Sequence, residues 1–329
     1  MRLQQSRQQT DQKGFALLTV LMIVALVAMV ASQLVYEQHA NIKRSSYMMH
    51  QAQSFSIVWG IETWVNKGLT LDRKNNKNDH LEELWAKPLG PIPYEGGMIS
   101  GQLFDLQSRL NVNNVLEKDQ VQRKIWQAIL KRYADRHELP PEFVDLVTDW
   151  VDEDNEILPF GAESDQYLLL NPAYSAANQP MVMLSEIKLL QGLGALKRVQ
   201  WLQMEQDLAA LPEVVKLNIN TATKDVLMSL TEWMTEEIAN SWQDERADKP
   251  AETPDEFRAF LVTETGFTAA EVLTDLPNWL IGTKSDYFLF NAEVNFGDSN
   301  ETISAIFSRK TNKDVKLVQR WLSVTETLQ

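Results

Sequence analysis

Between Phe15 and Ala31 the chain reads FALLTVLMIVALVAMVA, seventeen positions without a charge, and no other stretch limits its architecture so severely. Extended through Ser32 to Tyr36, the segment gives about 22 residues of helix, enough to cross the ~30 Å hydrocarbon core of a bilayer. Arg2, Arg7 and Lys13 precede it against the single acid Asp11. That bias predicts a single-pass anchor with a cytoplasmic N-terminus and an exported bulk. Three targeting schemes fit: an uncleaved signal anchor, a signal peptide cut near Ala31-Ser32, or a prepilin leader cut between Gly14 and Phe15. The apolar run is longer than a signal peptide needs, and Val30-Ala31-Ser32 is a marginal small-x-small site. The order Lys13-Gly14-Phe15-Ala16-Leu17-Leu18 fits the prepilin scheme.

The chain's 329 residues allow about two domains. The absence of cysteine excludes disulfides, thiolate zinc sites and cysteine nucleophiles. With 45 Asp and Glu against 31 Lys and Arg, the net charge is -14, a surface that repels phosphate backbones. Removing residues 1–14 takes away three positive charges and one negative, moving the chain from -14 to -16. No nucleic-acid partner is expected.

Beyond the bilayer Phe55, Val58, Ile61 and Val65 recur at helical spacing, and Gly68 supplies a stop, so residues 15–67 are expected to form one helix. Leu71 to Pro93 is polar and proline-bearing and reads as loop. Strand signals lie at Met98 to Leu106 and return only at Asp286, where Phe288, Phe290, Ala292, Val294 and Phe296 alternate. Gly297-Asp298-Ser299-Asn300 reads as a turn. Ile303, Ala305 and Phe307 then alternate, and Thr311-Asn312-Lys313-Asp314 turns into Val315 to Val324. The expected fold is α+β: a long N-terminal helix packed on a four-stranded antiparallel sheet, interrupted by an all-α insertion. The segments are 1–14 as leader, 15–36 as transmembrane helix, 37–106 with 281–329 as the α/β body, and 107–280 as the inserted helical domain.

Helix punctuation is dense in the insertion. Pro140-Pro141 precedes Phe143, Val144, Val147 and Val151, while Thr253-Pro254-Asp255-Glu256 and Thr268 with Glu271 read as capping boxes. Arg109-Leu110-Asn111-Val112-Asn113-Asn114 and Lys216-Leu217-Asn218-Ile219-Asn220-Thr221 form a weak repeat, which predicts two related helical units. The second resembles the opening of helix-hairpin-helix modules (or SAM-like helical units). Its hairpin, Thr231-Glu232-Trp233-Met234, lacks the glycines that bring backbone amides to phosphate and is followed by Glu236-Glu237. Protein packing is the expected role; a membrane-anchored DNA-uptake receptor is the alternative.

Asp152, Asp154, Glu156 and Glu163 fall at positions 1, 3, 5 and 12 of an EF-hand-like spacing, with Ile157 in place of the usual glycine. Such a density of hard oxygens suits calcium; a solvated acidic loop is the competing reading. The four histidines share no ligand spacing, and hydrolase and phosphate-binding motifs are absent, so no enzymatic activity is expected. Trp59, Trp64, Trp126, Trp201 and Trp242 fall in helical patterns and are expected to pack in the core.

The leader, the split sheet, Asp149 to Asp165, and the text of Tyr174 to Met181 and Leu184-Ser185-Glu186 together resemble the K-class minor pseudopilins of type II secretion systems. The resemblance covers nearly the whole chain. It implies prepilin-peptidase cleavage between Gly14 and Phe15, with methylation, and calcium (Ca2+) held by Asp152, Asp154, Glu156, Glu163 and Asp165. Type IV pilins and pseudopilins in general usually carry glutamate at the fifth mature position, which is Thr19 here. That carboxylate pairs with the amine of the subunit ahead, so its loss suits a subunit at the tip. Also implied are an inner-membrane anchor in lipid, a periplasmic head, and the I- and J-class minor pseudopilins as partners. The outer-membrane channel or secreted cargo would be what the head meets.

Overall fold

The computed structural model describes residues 9–94, 97–296, 299–310 and 315–324. Residues 1–8 of the expected leader, Gly297-Asp298 of one expected turn, and the whole of Thr311 to Asp314 lie outside them. Helix α1 (Gln9–Asn75) has 67 residues, about 100 Å at 1.5 Å per residue. It passes through Gly68, the expected stop. A glycine inside a helix costs only about 1 kcal/mol, and neighbouring Leu69 is buried against the sheet. Arg73 and Lys74 in the last turn favour the negative end of the helix dipole, and Arg73 bonds Asp286 at 2.9 Å.

The sheet has five strands, not four: β1 (Leu89–Tyr94), β2 (Gly97–Asp105), β7 (Tyr287–Phe296), β8 (Ser299–Ser308) and β9 (Lys316–Val324), antiparallel in that order. The additional strand, β1, gives no alternating signal because it is an exposed edge. Pro91 and Pro93 are tolerated there because an edge strand need not donate on its outer side. On one face Phe288, Phe290, Ala292, Val294, Ile303, Ala305 and Phe307 pack with Val58 and Leu69 of α1. Glu62 of α1 pairs with Arg320 of β9, and the Asn66 amide donates to the Val315 carbonyl at 2.7 Å. On the other face Leu289 and Ile306 pack with Ala209 and Leu211 of the insertion.

β2 and β7 pair in continuous register from Gly97↔Phe296 to Asp105↔Phe288. Everything between them therefore leaves and re-enters at one end of the sheet. This insertion contains α2 (Gln120–Arg136), α3 (Phe143–Val151), α4 (Ser164–Tyr167), α5 (Arg198–Asp207), α6 (Lys224–Ser229), α7 (Glu236–Asp248), α8 (Pro254–Thr265) and α9 (Ala269–Asp275), around its own core. Thr268 and Glu271 form a capping box; Thr253 makes no side-chain cap bond, and Pro254 opens α8 through its preset φ alone.

The two asparagine repeats do the same work. Each begins in a two-residue strand, β3 (Leu110–Asn111) or β5 (Leu217–Asn218), paired in parallel with β4 (Leu208–Ala209) or β6 (Ile281–Gly282). Asn113 donates to the Met181 carbonyl and accepts from the Met181 amide, both at 2.9 Å. Asn220 does likewise with Ala251, at 2.9 and 3.0 Å. A buried amide side chain thus stands in for a missing strand neighbour in each unit.

Asp105 fixes the insertion to the sheet. Its buried carboxylate accepts from the Gln107 amide (2.7 Å), Ser285 Oγ (2.6 Å), Thr221 Oγ1 (2.5 Å) and Asn218 Nδ2 (3.0 Å). Burial pushes its pKa up, and the Ser285 and Thr221 hydroxyls oppose that. We expect Asp105→Ala to orphan these donors and cost about 2 kcal/mol in denaturant unfolding of the detergent-solubilised chain. An unchanged midpoint and slope would mean the contacts carry no net stability.

Candidate metal centre

Toward the N-terminal end of α1, Phe15, Leu17, Leu18, Leu21 and Ile23 are all more than half exposed, as are the other large apolar side chains through Tyr36. The helix is long and apolar enough to cross a membrane, and its most apolar window is covered by none of the described residues. This is the form of a single-pass anchor. Gly14 and Phe15 lie within continuous helix, and Thr19 Oγ1 donates to the Ala16 carbonyl at 2.9 Å. Position 19 therefore offers a satisfied hydroxyl and no charge.

The acidic loop leaves the end of α3 and closes at α4. Asp152 lies at the C-terminal boundary of α3 and Glu163 at the N-terminal boundary of α4, which brings carboxylates eleven residues apart in sequence to one point. Oxygens of Asp152, Asp154 and Glu163 all lie within 4.8 Å of one another. Glu156 and Asp165 are exposed and stand outside this group of three. Asp149, which opens the acidic stretch in the sequence but falls outside the EF-hand-like count, lies fully buried under the loop and accepts from the Leu158 amide at 3.1 Å. Sequence spacing overlooked Asn178, which has a φ of 45° and bonds the Asp154 carbonyl and Asn155 Oδ1 at 3.1 and 3.3 Å. The Tyr174 to Met181 segment held the only sequence hint of Asn178.

Buried Asp152 Oδ1, both Glu163 carboxylate oxygens and Asn178 Oδ1 have no hydrogen-bond partner among the described residues. These are four acceptors without a donor, where buried acceptors are normally satisfied. Burial first, and the neighbouring carboxylates second, push Glu163 up to about 7 and Asp152 up to about 6. Asp149 also rises to about 6, through burial opposed by the Leu158 amide. A donor set composed only of hard oxygens fits calcium, although the short α4 and exposed Ile157 make this no EF-hand. Gly161 is required by close approach: a Cβ there would fall 1.8 Å from Asp149 Oδ2. Gly161→Ala is therefore expected to spread the loop and lower the melting temperature by several degrees. A melt superimposable on the parent would show that the loop has room to spare.

The helix-hairpin-helix-like unit uses its buried cation internally. Arg246 of α7 donates to the Ile219 and Ala222 carbonyls, each at 2.7 Å, and Trp242 Nε1 also reaches the Ile219 carbonyl. Among the tryptophans, Trp126 and Trp242 are buried, but Trp59 and Trp64 are 61% and 71% exposed, contrary to expectation. Helical spacing placed them on α1, but the sheet covers a different face of that helix.

Models described as "Type II secretion system (T2SS), protein K" match residues 108–213 and 217–275. A type II secretion system protein K from Pseudomonas aeruginosa is 30% identical over 320 residues, covering 94% of this chain and 92% of that protein. The chain belongs to the type II secretion system protein K family. A second protein K, from Aeromonas hydrophila, is 26% identical over 93% of this chain and 95% of its own length. Among solved structures, a chain of the GspK-GspI-GspJ complex from enterotoxigenic Escherichia coli superposes with a TM-score of 0.74 at 21% identity, over 85% of this chain and 99% of that one. At that identity the likeness carries the fold alone.

Proposed function

We propose that this chain is a minor pseudopilin that ends the type II secretion pseudopilus, supporting protein export as a structural subunit rather than an enzyme. Cut between Gly14 and Phe15 by the prepilin peptidase, it is held in the inner membrane by the apolar part of α1, with its head in the periplasm. The observation that carries the reading is the pairing of an uncharged, internally bonded Thr19 with a large insertion leaving one end of the sheet. A subunit with no neighbour ahead has no amine to neutralise, so a carboxylate in lipid would cost free energy without return. A bulky head is tolerated where nothing stacks above it. The solved neighbour was crystallised with GspI and GspJ, which favours the corresponding I- and J-class pseudopilins as partners here. Blocking cleavage with Gly14→Ala should leave the protein in the membrane unassembled and stop secretion; normal secretion by that variant would refute the assembly role.

The acidic loop completes the proposal as a calcium site that stiffens the head. Asp152, Asp154 and Glu163 would hold the ion, with Asn178 Oδ1 beside them and Glu156 and Asp165 at its rim. Calcium would supply the positive charge these oxygens lack, and the chain's own contribution is to hold them together between α3 and α4. Chelation should lower the melting temperature of the full chain in detergent, and Asp152→Ala with Asp154→Ala should abolish that difference.

A further inference from the structure

We propose a second metal site, for a borderline-soft divalent ion such as Zn2+, formed by His137, Asp207 and Asp225. His137 follows α2, Asp207 ends α5, and Asp225 lies in the first turn of α6. His137 Nε2 is buried and meets no hydrogen-bond partner among the described residues. It stands 4.0 Å from Asp207 Oδ2 and 3.9 Å from Asp225 Oδ2, and the three donor atoms lie within 4.8 Å of one another. These separations are too long for hydrogen bonds. A small contraction of this triangle would bring an ion among the three donors to the ~2.0–2.2 Å of zinc–nitrogen and zinc–oxygen bonds.

The surroundings behave as a supporting shell. The His137 ring lies against Tyr133, centroids 4.4 Å apart, and Asp207 Oδ1 accepts from Thr223 Oγ1 at 2.6 Å. Gln203 Nε2 bridges Asp207 Oδ2 and Asp225 Oδ2 at 2.7 and 3.1 Å, and the amide turned over would present its oxygen as a fourth ligand. Asp207 is buried, and the charge of the nearby Arg109 guanidinium acts on it. An imidazole nitrogen in the donor set selects zinc-like ions over calcium, which sets this site apart from the acidic loop. It would staple the first helical unit, which carries His137 and Asp207, to the second, which carries Asp225.

The test uses the full chain in detergent, stripped by chelator and then saturated with Ca2+ before Zn2+ is titrated. One further equivalent of Zn2+ should bind, raising the melting temperature. His137→Gln should weaken that step at least about tenfold while leaving the calcium response intact. Cobalt in place of zinc should give a visible absorption band that His137→Gln removes. Asp225→Asn, at a half-exposed position, gives the same readout should His137→Gln fail to fold. Zinc binding unchanged in both variants, or no zinc response beyond calcium, would overturn the site.

Discussion

Arg309→Ala is expected to destabilise the head by about 3–5 kcal/mol, the usual cost of stranding a buried carboxylate. Arg309 directly follows β8, with its guanidinium buried. It pairs with Asp79 and, at 2.6 Å, with Asp72 Oδ2, donates to the Ser285 carbonyl at 2.9 Å, and lies 4.4 Å from the Phe288 ring centroid. Although burial opposes its charge, the Asp79 and Asp72 carboxylates hold its pKa above the ordinary value. Asp79 in turn accepts from the Ser285 amide at 2.7 Å, and the Asp79 carbonyl accepts from Asn218. One cation thus joins the segment after α1, the sheet and the second helical unit. Removing it leaves Asp79 buried close to Asp72 and Asp105 without a counter-charge. The double variant Arg309→Met with Asp79→Leu should lose less than Arg309→Ala alone, because neither charge is then stranded. Urea unfolding of the solubilised chain measures both, and equal or greater loss in the double variant would contradict the pairing.

The acidic loop should make metal-free and calcium-loaded protein respond oppositely to pH. Unfolded carboxyl groups titrate near pH 4. Folded Asp149 and Asp152 titrate at about 6 and Glu163 at about 7, mainly through burial. Their stabilising contribution is therefore complete below about pH 4 and is lost as the pH rises through 6 to 7. Metal-free protein should lose stability from these groups between pH 5 and 7.5. Calcium should reverse that loss, with a thermal increment large at pH 7.5 and small at pH 5, where protons compete for the same oxygens. Melting curves at the two pH values, with calcium and with chelator, decide it; an increment independent of pH would place the cation elsewhere.

Elements governed by local pattern were legible in the sequence. The anchor is set by lipid's intolerance of charge, and β7 to β9 by strict alternation on a half-buried face. β1 was not legible, because its identity comes from backbone pairing with β2 rather than from side chains. The end of α1 was misplaced because burial of Leu69 outweighs the cost of Gly68. In the acidic loop, the spacing names Asp152, Asp154, Glu156 and Glu163; oxygens of three of these meet across one short loop and Glu156 stands apart, while Asn178 reaches the loop from a separate segment in a left-handed conformation. The contacts that tie Asp105 to Asn218 and Ser285, and Arg309 to Asp79, span more than a hundred residues, and no local signal marks such partners.

Where the protein sits on an assembled pseudopilus bears most directly on its role. Gold-labelled antibody to the head, viewed by electron microscopy on filaments sheared from secreting cells, should mark one end of each filament and leave the shaft bare. Label spaced regularly along the shaft would contradict a terminal subunit, whatever the fate of the calcium loop.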